Sequence, residues 1–381
     1  MKDITRRDAL KGLGATGAAA SLGCLKPSTK ARAVEKKEPT MTQPEFQTVA
    51  LPQGATPWPT QEPFLFCVHH NDKYPAGNEQ HGPAASLEGR RIGQDFEGKD
   101  GWRMYHGDVV PGFPRHPHRG FETITVVREG LIDHADSLGA AARYGEGDVQ
   151  WLTAGDGINH AEMFPLLDKE KTNETNFFQI WLNLPAAQKR VPPHFTMFWD
   201  KQIPVVSTKD AAGRATVVTV IAGQYDQATA LSPPPNSWAS TSESDVAIFT
   251  VKMAPHAQWT LPASRAGTTR TLYTVTGDGI VVANQNVSNR YQVIFKNEVA
   301  VEITNGSQET ELLLLQAKPI GEPIARYGPF VMNTQAEIQE AFRDYRRTEF
   351  GGWPWKGSDP VHGGKKERFA RHADGREEKP V

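Results

Sequence analysis

"FPRHPHRGFETITVVREG", Phe113 to Gly130, sets two histidines one residue apart at the head of a strand-forming run. On a strand, residues i and i+2 share a face, so His116 and His118 project side by side. "GINHAEMFP", Gly157 to Pro165, repeats the arrangement with His160 and Glu162. Two antiparallel strands, each offering such a pair to a common interior, gather three imidazole nitrogens and one carboxylate around one centre. Shared affinity for a cation is what makes burying four polar side chains tolerable. An open site of this kind suits Fe(2+), Mn, Ni or Zn, and donor softness alone does not decide among them. A redox-capable ion would suit dioxygen chemistry, whereas zinc would suit hydrolysis or a structural role. His106 and His134 lack a ligand-type partner two residues away, and the adjacent His69 and His70 would face opposite sides of a strand. All four read as structural or as neighbours of the site.

Around these pairs the texture is that of short strands. "FLFCVHHND", "ETITVVREG", "DVQWLTAG" and "NFFQIWLNLP" follow one another, separated by Gly- and Pro-containing turns. A second cluster from about Ala215 to Ala317 repeats the rhythm with "ATVVTVIAG", "DVAIFTVKM", "RTLYTVTGDGIVVA" and "ETELLLLQA". Its one histidine is His256. With 381 residues, 34 Gly and 28 Pro, the expectation is an all-β protein of two similar domains in tandem. One helix is expected near the C-terminus in "NTQAEIQEAFRDYRR", capped by Asn333 or Thr334 with Glu337 closing a capping box.

Lys+Arg 42 against Asp+Glu 44 gives a net charge of −2, and no basic face for nucleic acid is expected. The first residues have the layout of a secretory signal: a charged start, then a Gly/Ala-rich run from Gly12 to Gly23, too short to span a membrane. Thr5, Arg6, Arg7, Leu10 and Lys11 resemble a twin-arginine signal, which exports proteins already folded; Ala9 stands where Phe is commoner. "SLGC" would place a lipid anchor on Cys24, while "ARA" at Ala31 to Ala33 fits ordinary cleavage. Cys67 reads as a small core hydrophobe. The expected division is a signal over 1–33, a linker over 34–47, a metal-binding domain over 48–190, a second domain with the helix over 191–350, and a charged tail over 351–381, disordered or wrapped on the surface.

"HPHRGFETITVVREG" followed by "GDVQWLTAGDGINHAEM" resembles the signature of the pirin family, a branch of the bicupin proteins. His116, His118 and Glu122 fit the ordinary first cupin motif, but its leading Gly is shifted to Gly112 and seven residues separate Glu122 from Gly130. Thr153 stands at the usual Pro of the second motif, and "IGEPIARYGPFVMNTQAEIQEAFRDYRR" is similar to the pirin C-terminal signature. The resemblance implies two tandem cupin barrels of jelly-roll type. It implies non-haem iron on His116, His118, His160 and Glu162, and a second barrel without metal. Glu122 would stand beside the ligands without binding metal. Trp151 and Phe121, beside the motifs, read as facing either the core or the pocket, the core being favoured. The implied activity is dioxygen-dependent ring opening of flavonols such as quercetin, with Glu162 taking the substrate's hydroxyl proton. The alternative is an exported iron-dependent sensor or protein-binding module. A small aromatic substrate, a monomeric chain and a periplasmic or envelope location complete the expectation.

Overall fold

The computed structural model describes residues 44–380 and is almost entirely β. The signal, Cys24 and most of the linker lie outside the described residues. Ten strands lead into and build the first half: β1 (Phe46–Ala50), β2 (Phe64–Tyr74), β3 (Gly112–His118), β4 (Phe121–Glu129), β5 (Leu131–Asp136), β6 (Ala141–Gly145), β7 (Val149–Thr153), β8 (Ile158–Met163), β9 (Asn173–Asn183) and β10 (His194–Phe198). One sheet runs β10-β7-β4-β9-β2; the facing sheet contains β6-β5-β8-β3. Between them lies an aromatic and aliphatic core that includes Tyr144, Leu152, Phe164, Phe177 and Trp199.

The second half repeats the plan with a seven-stranded and a four-stranded sheet enclosing residues such as Val220, Phe249, Leu272 and Leu314. These are two tandem β-barrels of the same plan, and among the described residues one α-helix follows them. Their large sheets pack back to back. Alternation along β9 turns Phe178, Ile180 and Leu182 outward into this seam, where they meet Ile248, Leu313 and Leu315 of the second barrel. Cys67 and Trp151 are buried in the same layer, and burial pushes the Cys67 thiol far above its usual range.

The boundary expected at residue 190 is crossed in three places. β10 pairs with β7 of the first barrel. β1 pairs with Tyr291–Phe295 of the second, and the C-terminal strand Phe369–Arg371 pairs with β6 of the first. The tail therefore adds two strands, Phe369–Arg371 and the edge strand Glu377–Glu378, to the sheet that bears the histidines.

Helix α1 (Gln335–Thr348) starts where its sequence says it should. The Thr334 hydroxyl accepts from the Glu337 N–H and the Glu337 carboxylate accepts from the Thr334 N–H. Ile338 and Ala341 are its buried positions, packed with Phe330 and Met332 of the hairpin Ala325–Tyr327/Phe330–Met332. That hairpin is docked on the first barrel through Lys189. Its buried Nζ donates to the carbonyls of Gly120 (2.8 Å) and Val331 (3.2 Å) and to Asn183 Oδ1 (2.6 Å). Arg119 adds an ion pair to Asp344 of α1 (2.9 Å) and lies over the Phe350 ring.

Candidate metal centre

β3 and β8 are antiparallel neighbours, and the register sets His116 opposite His160. A shift between Phe113 and His116 interrupts that ladder. Alternation then puts His118 beside His116 and Glu162 beside His160 on the barrel interior. The three imidazoles converge: ring centroids are 4.4 Å apart for His116 and His160, 4.9 Å for His118 and His160, and 4.8 Å for His116 and His118. One ring nitrogen from each lies within 4.8 Å of the others. Phe121 packs its ring on His118 at 5.0 Å and on Trp181 at 4.4 Å, walling the cluster rather than filling a remote core.

The donor set fits a cation. Neither ring nitrogen of His160 has a hydrogen-bond partner among the described residues, nor has Nδ1 of His118, and all three atoms are buried. An unpaired buried polar atom costs about 1–3 kcal/mol, a cost that a shared ion removes. His116 Nδ1 donates to the Pro114 carbonyl at 2.9 Å, which leaves its Nε2 lone pair free. Burial holds all three imidazoles below the usual histidine range, His118 and His160 well below it. They are therefore neutral near pH 7, the form that binds metal.

Glu162 sits at the edge of this cluster, its Oε2 3.9 Å from His160 Nε2. Gln179 Nε2 donates to both of its oxygens, at 3.1 and 3.0 Å, and Thr125 Oγ1 donates to Oε1 at 3.2 Å. Gln179 is a site residue the sequence reading missed. Its signal was available, since the outward set Phe178, Ile180 and Leu182 leaves Gln179 facing the interior between Phe177 and Trp181.

Glu122 is placed differently from expectation. It points away from the histidines into the seam, fully buried. Thr153 Oγ1 and Ser237 Oγ, the latter from the second barrel, each donate to it at 2.6 Å. Burial pushes its carboxyl up to about 7, against the pull of those hydroxyls and Trp151. The other expected bystanders also separate. His134 lies 5.6 Å from His160 and bonds Asp136. His69 turns to the seam, bonded to Asn176 and stacked on Phe178.

Above the histidines opens a cavity of about 670 Å³. Its walls are largely aromatic, with Phe66, Phe96, Phe113 and Trp181; His70 and His106 also face it. Gly328 and Pro329, at the tip of the docked hairpin, form part of its roof. That roof comes from far along the chain, and no local motif announces it.

Residues 62–182 match the family described as Pirin, and residues 248–351 match the Pirin C-terminal cupin domain. The chain is 37% identical over 245 residues to Pirin-1 of Arabidopsis thaliana, covering 63% of this chain and 78% of that protein. The chain belongs to the pirin family. Human pirin is 33% identical over 252 residues, covering 65% of this chain and 80% of that one. Pirin-like architecture also extends to a solved structure of quercetin 2,3-dioxygenase from Acinetobacter baumannii. That chain is 27% identical with a TM-score of 0.64, covering 82% of this chain and 99% of its own. Unlike its pirin core, residues 3–23 match a twin-arginine translocation signal, which supports export.

Proposed function

We propose that this pirin is an exported dioxygenase acting on hydroxylated aromatic compounds of the flavonol type, in the periplasm or attached to the cell envelope. The observation that carries the reading is the position of three neutral imidazoles, His118 and His160 buried and His116 half-buried, at the floor of an aromatic-walled cavity large enough for such a molecule. The likeness to a structure titled quercetin 2,3-dioxygenase supports it. Fe(2+) on His116, His118, His160 and Glu162 would supply Lewis acidity and electron exchange with dioxygen, with Mn, Ni or Zn as alternatives.

The chain's own residues supply the rest. Phe66, Phe113 and Trp181 give flat apolar surfaces between which a planar ring system is held and water excluded. Glu162 is the proton acceptor for a substrate hydroxyl. Among the described residues its Oε2 carries only the Gln179 bond, so a lone pair remains for that proton. Gln179 and Thr125 fix the carboxylate so that it faces the histidine side.

The test is anaerobic addition of quercetin to protein loaded in turn with each of the four metals, followed by air. A shift in the flavonol absorption on binding and its loss on aeration are expected with iron. No spectral change and no turnover with any of the four would refute the reading.

A further inference from the structure

The pair His69-His70 on β2 splits as strand alternation requires, and only His70 reaches the cavity. Its ring is held by three aromatic neighbours and one hydrogen bond. It stacks on Phe177 at 4.5 Å and meets the edges of Tyr105 at 4.9 Å and Phe113 at 5.7 Å. Its Nδ1 lies 2.8 Å from the Tyr105 hydroxyl.

The bonds behind Tyr105 decide which nitrogen carries the proton. Tyr105 has one O–H, and that O–H donates to Asp72 Oδ2 at 2.6 Å. The other oxygen of Asp72 is held by Arg103 Nη1 at 2.8 Å; burial pushes this carboxyl up to about 6, so near pH 7 it is a carboxylate, which can only accept. With its hydrogen committed to Asp72, the Tyr105 oxygen is an acceptor toward His70, so His70 Nδ1 must be the donor. In a neutral imidazole the other nitrogen is then a bare lone pair. Burial, together with the charges of His69 and Arg103, holds the ring's pKa down to about 3, which keeps it neutral. Among the described residues no group bonds Nε2, and that atom is not sealed off as the orphaned nitrogens of His160 are.

We propose that His70 presents an unprotonated Nε2 to the cavity as the acceptor for a hydroxyl of the bound aromatic substrate, with Asp72 and Tyr105 as positioning residues that fix its tautomer. This rests on the reading that the cavity takes a hydroxylated aromatic. It adds a second polar anchor, on the wall formed by β2, to the one at the histidine floor. A ring system bearing hydroxyls at separated positions is thereby favoured over one with a single polar edge. Tyr105 and Arg103 both come from the long segment between β2 and β3, so that segment sets this preference.

The test has two arms on zinc-loaded protein. In the first, flavone and its 3-, 5-, 7- and 4′-monohydroxy derivatives are titrated into the wild type and His70→Phe. One hydroxyl position should lose about five- to tenfold in affinity, the worth of one neutral hydrogen bond, while flavone is unchanged. Equal changes for all five probes, or none, would overturn the proposal. In the second arm, ¹⁵N spectra of labelled histidine should show His70 protonated at Nδ1 and bare at Nε2, with that preference lost in Tyr105→Phe. A proton on Nε2 in the wild type would overturn it independently. If the wild type binds none of the five probes, the aromatic-substrate reading fails, and the tautomer alone then decides whether His70 is an acceptor.

Discussion

Replacing Glu122 with Gln should stabilise the protein increasingly as pH rises. The carboxyl is fully buried between the barrels, and its value stands at about 7 against 4.5 for the exposed group. A folded-state value raised above the unfolded one means that the group's favourable contribution is present below about 4.5 and is lost as pH climbs through about 7. Relative to a carboxyl that never ionises, the wild type gives up about 0.8 kcal/mol at pH 5 and about 3.4 kcal/mol at pH 8. Gln never ionises, and its amide can accept from one of the Thr153 and Ser237 hydroxyls and donate to the other once that hydroxyl rotates. The advantage of Glu122→Gln should therefore grow by about 2.5 kcal/mol between pH 5 and pH 8. Urea melts of both proteins at the two pH values measure it. Buried histidines titrate in both proteins and cancel in the difference. An advantage that stays constant with pH, or that shrinks at pH 8, would refute the assignment of Glu122 as a buried, protonatable tie between the barrels.

His160→Ala should abolish metal stoichiometry by elemental analysis. Zinc at a hundred times its Kd should raise wild-type stability by about 2.7 kcal/mol, and the variant should show no such gain. Lys189→Met strands three buried acceptors and should cost about 2–4 kcal/mol in the same urea assay. Gly120→Ala sets a side chain at φ +84° against the Val331 carbonyl. It should loosen the roof, read as faster hydrogen exchange at Phe330–Met332 with the histidine cluster's metal affinity little changed.

The convergence of the three histidines was legible because strand alternation turns a two-residue spacing into a shared face, and the register does bring His116 opposite His160. The helix was legible because its cap is a local hydrogen-bond pattern. Glu122 was not. β4 is buried on both faces, since one lines the first barrel and the other the seam. Ile124 and Val126 on one side and Thr123 and Thr125 on the other suggest an apolar inward face, but the apolar pair lies in the seam and Thr125 looks into the first barrel. β1 was equally silent. Its partner is a strand of the far barrel, and only one of its five residues is even half-buried, so no apolar period marks it. The roof of the cavity and the Asp72–Tyr105–His70 chain depend on contacts between distant segments, which spacing cannot encode.

The exchange of end strands has a consequence for when this protein can finish folding. The first barrel waits for Phe369–Arg371 to complete its sheet, and β1, made early, waits for Tyr291–Phe295 before it has anything to pair with. The sheet that bears the histidines therefore reaches its full width only once residues 369–371 have been made, near the end of the chain. A truncation before Phe369 would act on the barrel that bears the histidines, at the opposite end of the sequence. Such a late closure suits an export route that accepts a chain only after it has folded.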